Sequence, residues 1–290
     1  MTNTIVFVHG SFVSKSCWDL WTARFESRGI RCIAIAYPGR DAPVKTLRAN
    51  PDRQLLASLT ITEVLDHHER IIHSLDERPI IIGHSFGGLL TQLLVQRGLA
   101  EAAVAIDSVP PQGVMPLRFS FYRSIAPLVN PLAGNRPYMM SFSHFQFAFA
   151  NGMPLGEQRA AYEKYIVPES RPLARGALMR AGRVDFKKPH APLLFIGGEI
   201  DNLMPASLNR QNYRRYREGS SSLVDYKEFA GLNHFTVIAG SGWERVADYA
   251  VHWAKRVTDS ESMFEEPIQK VGTRRIEQRR DVHREAPGPQ

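Results

Sequence analysis

Cysteine is scarce in this 290-residue chain: Cys17 and Cys32 are the whole supply. Two thiols exclude a disulfide scaffold and any multi-cysteine zinc module, and a reduced, intracellular setting is the simpler reading. No apolar run approaches the ~20 residues that a membrane span needs. The opening Met1-Thr2-Asn3-Thr4-Ile5-Val6-Phe7-Val8 has no basic segment, long apolar stretch or small-residue cleavage site, so it does not read as a secretory signal. The expectation is a cytoplasmic protein. Extremes of composition are missing too: 43% hydrophobic and 22% charged residues exclude bulk disorder, collagen and coiled coil.

Charge is mildly one-sided, with 36 Lys/Arg against 29 Asp/Glu, a net +7. The whole excess sits in residues 111–190, which hold eleven basic against four acidic residues, scattered as Arg118, Arg123, Arg136 and Arg175 among others. No basic helical stripe, zinc-finger spacing or RNA-binding aromatic signature accompanies it. The expectation is therefore no nucleic-acid partner and a solvated basic face.

What is present is a rhythm. From 1 to about 109, short apolar runs alternate with helical patterns: strands at Ile5–Val8, Arg31–Ala36, Ile80–Ile82 and Ala102–Ile106, helices at Cys17–Arg28, Glu63–Leu75 and Phe86–Arg97. Continuous apolar strands between amphipathic helices predict a parallel sheet covered on both faces, that is, a doubly wound, mostly parallel α/β core. From 110 to 189 the alternation stops, prolines punctuate short helical segments, and ten aromatics crowd between 119 and 165. This segment reads as a helical cap inserted in the core. The rhythm then resumes through 190–258: strand Leu193–Ile196, helix Ala206–Tyr216, strand Ser222–Phe229 and helix Trp243–Val257. Residues 259–290 are polar and end in Pro287-Gly288-Pro289, which predicts a flexible tail. No internal repeat is visible.

The motif with the most chemistry is Gly83-His84-Ser85-Phe86-Gly87, a Gly-x-Ser-x-Gly between a predicted strand and a predicted helix. On its own the pattern is weak, because glycine and serine are common. The flanks give it meaning. A nucleophile on a sharp strand-to-helix turn needs small neighbours two residues to either side, and Gly83 and Gly87 supply them. Ser85 would then stand exposed at the positive end of a helix dipole.

A serine hydroxyl needs a base. Among ten histidines, His234 stands out: it lies in the loop Ala230-Gly231-Leu232-Asn233 after a strand, ahead of the last core helix. Loops at the carboxyl edge of such a sheet are where α/β enzymes assemble sites. The carboxylate that orients the imidazole is read as Asp201, in the loop after Leu193–Ile196, with Asp107 and Glu199 as competitors. Asp107 is otherwise read as a carboxylate lining or bracing the pocket. Oxyanion donors are expected from the N–H of Phe86, at a helix start, and from the loop Val8-His9-Gly10-Ser11-Phe12, with Ser11 favoured and Phe12 second.

Taken together, His9-Gly10, Gly83-x-Ser85-x-Gly87, Asp201 and His234, in that chain order, resemble the α/β-hydrolase superfamily. The resemblance covers roughly 1–109 and 190–257 and includes an insertion where the family places its cap. It implies a Ser-His-Asp mechanism through an acyl-enzyme, with no metal and no organic cofactor. A serine nucleophile argues against the family's haloalkane dehalogenases and epoxide hydrolases, which attack through aspartate. The family's leading antiparallel strands are not seen ahead of His9-Gly10. Substrate identity is less specific. Phe12, Phe86 and Met204 sit beside the expected machinery, and the aromatic cap predicts an apolar cavity. The central expectation is an uncharged, moderately hydrophobic ester or lactone as small-molecule partner. A thioester, an amide or the carbon–carbon bond of a β-diketone, or a sensor that keeps the fold, are the other readings.

Overall fold

The computed structural model describes residues 2–262; Met1 and the segment from 263 onwards, which holds most of the expected tail, lie outside it. Six strands form one sheet: β1 (Thr4–Val8), β2 (Arg31–Ile35), β3 (Ile80–His84), β4 (Ala102–Ile106), β5 (Leu193–Gly198) and β6 (Val224–Phe229). Their order is β2-β1-β3-β4-β5-β6, and every pairing among them is parallel.

Strand alternation explains the layering. Ile5, Phe7, Ile82, Val104 and Ile196 face one side, where they pack with Trp21 and Phe25 of α1 (Asp19–Glu26) and with Val246, Ala250 and Trp253. Val6, Val8, Ile81, Ala103 and Phe195 face the other side. There they meet a helix that follows two short ones, α2 (Val44–Ala49) and α3 (Arg53–Ser58). This is α4 (Ile61–His73), joined on that face by α5 (Phe86–Gln96). Helices on both faces make the expected doubly wound α/β architecture.

The helix α4 begins two residues before the sequence pattern predicts. Thr60 and Glu63 form a reciprocal capping box there, each side chain bonded to the other's backbone N–H. The short α2 and α3, which the apolar periodicity did not signal, lie between β2 and α4.

Between β4 and β5 the chain leaves the sheet and forms α6 (Phe119–Val129), α7 (Phe142–Ala148), α8 (Leu155–Tyr165) and α9 (Arg171–Gly176). Phe121, Phe145 and Tyr165 from this excursion join the same apolar cluster as Ile5 and Phe7. The chain then returns through β5, α10 (Ala206–Gly219), β6 and α11 (Trp243–Ser262), the last of which supplies Val246, Ala250 and Trp253. No helix of the described residues is long and apolar enough to cross a membrane.

Strand order decides where a site can form. The chain runs outward from β1 to β2, then returns to place β3 on the other side of β1. The loops after β1 and β3 therefore part at a topological switch point, the place where open parallel sheets bind ligands. Val8 and Gly83 are in register at that edge.

Candidate active site

Ser85 occupies the turn between β3 and α5 with φ 58 and ψ −119, a left-handed conformation that a non-glycine residue rarely adopts. The surroundings hold it there. Its N–H donates to the Ile106 carbonyl at 2.9 Å, and its own carbonyl accepts from Gly88 and Val109, each at 3.0 Å. The flanking glycines are required by contact: a Cβ on Gly83 would collide with the Gly87 carbonyl and the Thr91 hydroxyl, and one on Gly87 would run into the Val8 carbonyl. Gly10 faces Ser85 across the switch point, where a Cβ would sit 2.8 Å from the serine Cβ.

His234 follows β6 and is fully buried. Its loop is stiffened by Asn233, whose side-chain oxygen accepts from the N–H groups of Phe235 and Thr236 at 3.0 and 2.8 Å. The imidazole Nδ1–H donates to Asp201 Oδ2 at 2.6 Å. Nε2 is buried with no hydrogen-bond partner among the described residues, so no bond joins it to the Ser85 hydroxyl in this state. His84, beside Ser85, donates from Nε2 to the His234 carbonyl at 2.9 Å, and the two rings lie 4.5 Å apart. Burial is the main cause that holds the His84 imidazole well below its ordinary value, and the neighbouring His234 ring adds to it, which keeps His84 neutral.

Of the three candidate carboxylates, the structure brings Asp201 to the imidazole. Its other oxygen accepts from the N–H groups of Leu203 and Met204 at 2.6 and 2.8 Å. Glu199 points elsewhere and accepts from the Gly231 N–H at 2.9 Å. Asp107, at the end of β4 with φ 40, is completely buried, and its carboxyl lies against that of Asp201. It does not line the apolar cavity beside Ser85.

The N–H of Phe12 is committed to Glu169 Oε2 at 2.9 Å. The N–H groups of Ser11 and Phe86 make no hydrogen bond to another described residue, and both residues border the cavity that Ser85 faces. His9 is buried, stacked 3.9 Å from Tyr37, and lowered to about 3 by burial and by the Arg40 charge. Glu169 and Arg40 form a buried ion pair at 2.7 Å that the sequence reading passed over. The signal for Glu169 was its rarity, as one of four acidic residues in the basic segment 111–190.

The cavity beside Ser85 has a volume of about 60 Å³ and is walled by Phe12, Phe121, Leu128, Phe149 and Met204, with no charged side chain in its lining. Space for about two water molecules is what such a volume gives. A larger open cleft of about 910 Å³, lined by Arg48, Arg53 and Arg136, contains none of the candidate residues. Among the described residues, the set with metal-ligand chemistry is His84, Asp107 and His234, whose ligand atoms lie within 4.8 Å of one another. One of these imidazoles is already bonded to Asp201 and the other to a backbone carbonyl.

A sequence model described as "Alpha/beta hydrolase family" matches residues 5–249. The chain belongs to that family. Methylesterase 10 of Arabidopsis thaliana is similar at 29% identity over 101 residues, a stretch that covers 35% of this chain and 34% of that relative. Among solved structures, polyneuridine aldehyde esterase superposes with a TM-score of 0.64 at 16% identity, over 88% of this chain and all of that one. A pyrethroid hydrolase from Sphingobium faniae gives 0.61 at 20% identity, over 89% of this chain and 100% of its own. At these identities the structural likeness speaks for the fold.

Proposed function

We propose that this chain is a serine hydrolase that cleaves an uncharged carboxylic ester through Ser85, His234 and Asp201. The observation that carries this reading is the buried 2.6 Å bond from His234 Nδ1–H to Asp201. It leaves Nε2 as an unpartnered base in the loop packed against His84-Ser85.

In this reading the ester carbonyl sits over Ser85 with its oxygen toward the N–H groups of Ser11 and Phe86. Nε2 takes the hydroxyl proton as Oγ attacks, and Asp201 stabilises the imidazolium that results. Oxyanion charge develops against the two backbone donors. The imidazolium then protonates the leaving alkoxide, the alcohol departs, and an acyl-enzyme remains. Water, deprotonated by Nε2, attacks the acyl carbonyl; the acyl–Oγ bond then breaks as the imidazolium returns its proton to Ser85 Oγ, and the acid leaves. The missing Ser85–His234 bond is compatible with this, since such bonds often tighten only with substrate in place.

The excursion 110–189 serves in this reading as a cap that closes over Ser85. Its apolar wall, together with the small volume, favours an uncharged ester with a small acyl or alkoxy group beside the serine. A methyl ester meets that requirement and agrees with the name of the methylesterase relative.

The test uses wild type, Ser85→Ala and Asp201→Asn on methyl and p-nitrophenyl esters, with fluorophosphonate labelling read by mass spectrometry. Ser85→Ala should lose labelling and turnover, and Asp201→Asn should lower kcat by about 10⁴-fold while staying folded. Full turnover in Ser85→Ala would remove the nucleophile from this reading. Labelling without ester turnover moves the bond type to a thioester, lactone or carbon–carbon bond.

A further inference from the structure

Asp107 presents a problem that the triad alone does not solve. Its Oδ1 accepts from the Gly198 N–H at 2.7 Å, whereas Oδ2 is buried and meets no donor. The carboxyl of Asp201 is its neighbour: Asp107 accepts the N–H of Gly198, Asp201 donates its own N–H to the Gly198 carbonyl at 3.3 Å, and both carboxyls lie beside the His234 ring. Both residues are buried, Asp107 at 0% and Asp201 at 4% exposure. Two ionised carboxylates side by side in such a place repel strongly, and one proton between them removes the conflict.

Donor counts say which of them holds it. Asp201 already accepts three N–H groups, from Leu203, Met204 and His234, and Asp107 accepts one. More N–H donors favour the ionised form, so the charge belongs on Asp201 and the proton on Asp107.

We propose that Asp107 is a neutral acid whose Oδ2–H donates to Asp201, making it a positioning residue for the carboxylate that orients His234. This rests on the triad reading for its catalytic meaning, though the shared proton stands on the geometry. The backbone supports it: Asp107 is pinned at φ 40 by its N–H bond to the Ile196 carbonyl at 2.8 Å, which aims the side chain across to the loop after β5. The groups facing the pair are the imidazoles of His234 and His84, with Glu228 and Tyr226 farther off. Burial first, then the charge of Asp201, pushes the Asp107 carboxyl well above the ordinary carboxylate range. A fourth donor fixes Asp201 in line with Nδ1 and keeps a second negative charge away from the base.

The experiment combines infrared spectroscopy with kinetics on the full chain. At pH 7 the wild type should show a protonated-carboxyl C=O band that is retained in Ser85→Ala and lost in Asp107→Asn. Asparagine keeps an N–H donor toward Asp201, so Asp107→Asn should stay within a few-fold of wild-type kcat, whereas Asp107→Ala should lose about tenfold in kcat with KM unchanged. Circular dichroism on each variant separates this from unfolding. A wild type without the band, a band that persists in Asp107→Asn, or a folded Asp107→Ala with unaltered kcat would each overturn the proposal. If wild type neither labels nor hydrolyses esters while the band behaves as stated, the triad reading falls and the shared proton stands.

Discussion

The Glu169 carboxylate, carried by the segment between α8 and α9, accepts the backbone N–H of Phe12 at 2.9 Å, while the Phe12 carbonyl accepts from the N–H of Val167 at 2.8 Å. Both polar backbone groups of Phe12 are thereby tied to the helical excursion. That residue sits at φ 67, where a phenylalanine is strained by roughly 1–3 kcal/mol. The excursion thus ties down the loop that carries Ser11. Arg40 pairs with the other Glu169 oxygen at 2.7 Å, and neither partner is more than 3% exposed.

Breaking that latch should be costly. Glu169→Gln leaves Arg40 buried without its counter-charge, a loss of about 3–5 kcal/mol. The denaturation midpoint should drop accordingly. Under conditions where the variant is still folded, kcat should fall more than KM rises, because the loosened loop no longer places the Ser11 N–H proposed as an oxyanion donor. An unchanged midpoint with unchanged kcat would show that the latch carries neither stability nor oxyanion geometry.

Size selection should reside in the wall opposite Ser85. Leu128 and Phe121 of α6 border the cavity of about 60 Å³. Leu128→Ala removes three carbons from that wall and should raise kcat/KM for butyrate over acetate esters by about tenfold relative to wild type. A chain-length profile that does not move would place the substrate's variable group elsewhere.

Acid stability should follow the buried histidines. Burial is the main cause in both cases, lowering His9 to about 3 and His68 to about 4 from 6.5. In the folded state these imidazoles stay neutral while the unfolded chain takes up protons below 6.5. Stability is therefore full above pH 6.5 and is lost as pH falls toward 4, by about 1.4 kcal/mol per pH unit for each group. Asp107 acts with the opposite sign, its contribution present at low pH and lost as pH rises above 3.8. Urea midpoints from pH 7 to 4 should decline, and His68→Gln should flatten the decline. A flat wild-type profile would mean that the histidines are not neutral in the fold.

Much of the fold was written in local pattern. Strands such as Ile80–Ile82 are wholly apolar because β3 pairs on both edges and is buried on both faces. Other boundaries were harder to read. The Cys17–Arg28 pattern divides into a 3₁₀ turn at Lys15–Trp18 and then α1, and α2 and α3 are too short for an apolar period to show.

The candidate site divides along the same line. The sequence by itself determined the strand–turn–helix around Ser85, because the need for Gly83 and Gly87 is a steric rule acting over four residues. It also named a small pool of carboxylates and amides at strand ends. Only the tertiary structure decided that Asp201 meets His234 while Glu199 turns to Gly231, and that Glu169 takes the Phe12 amide and leaves that of Ser11 free. Those choices depend on strands and segments up to 157 residues apart in the chain, and their hydrogen-bond geometry exists only once the sheet order β1-β3-β4-β5-β6 has set them side by side.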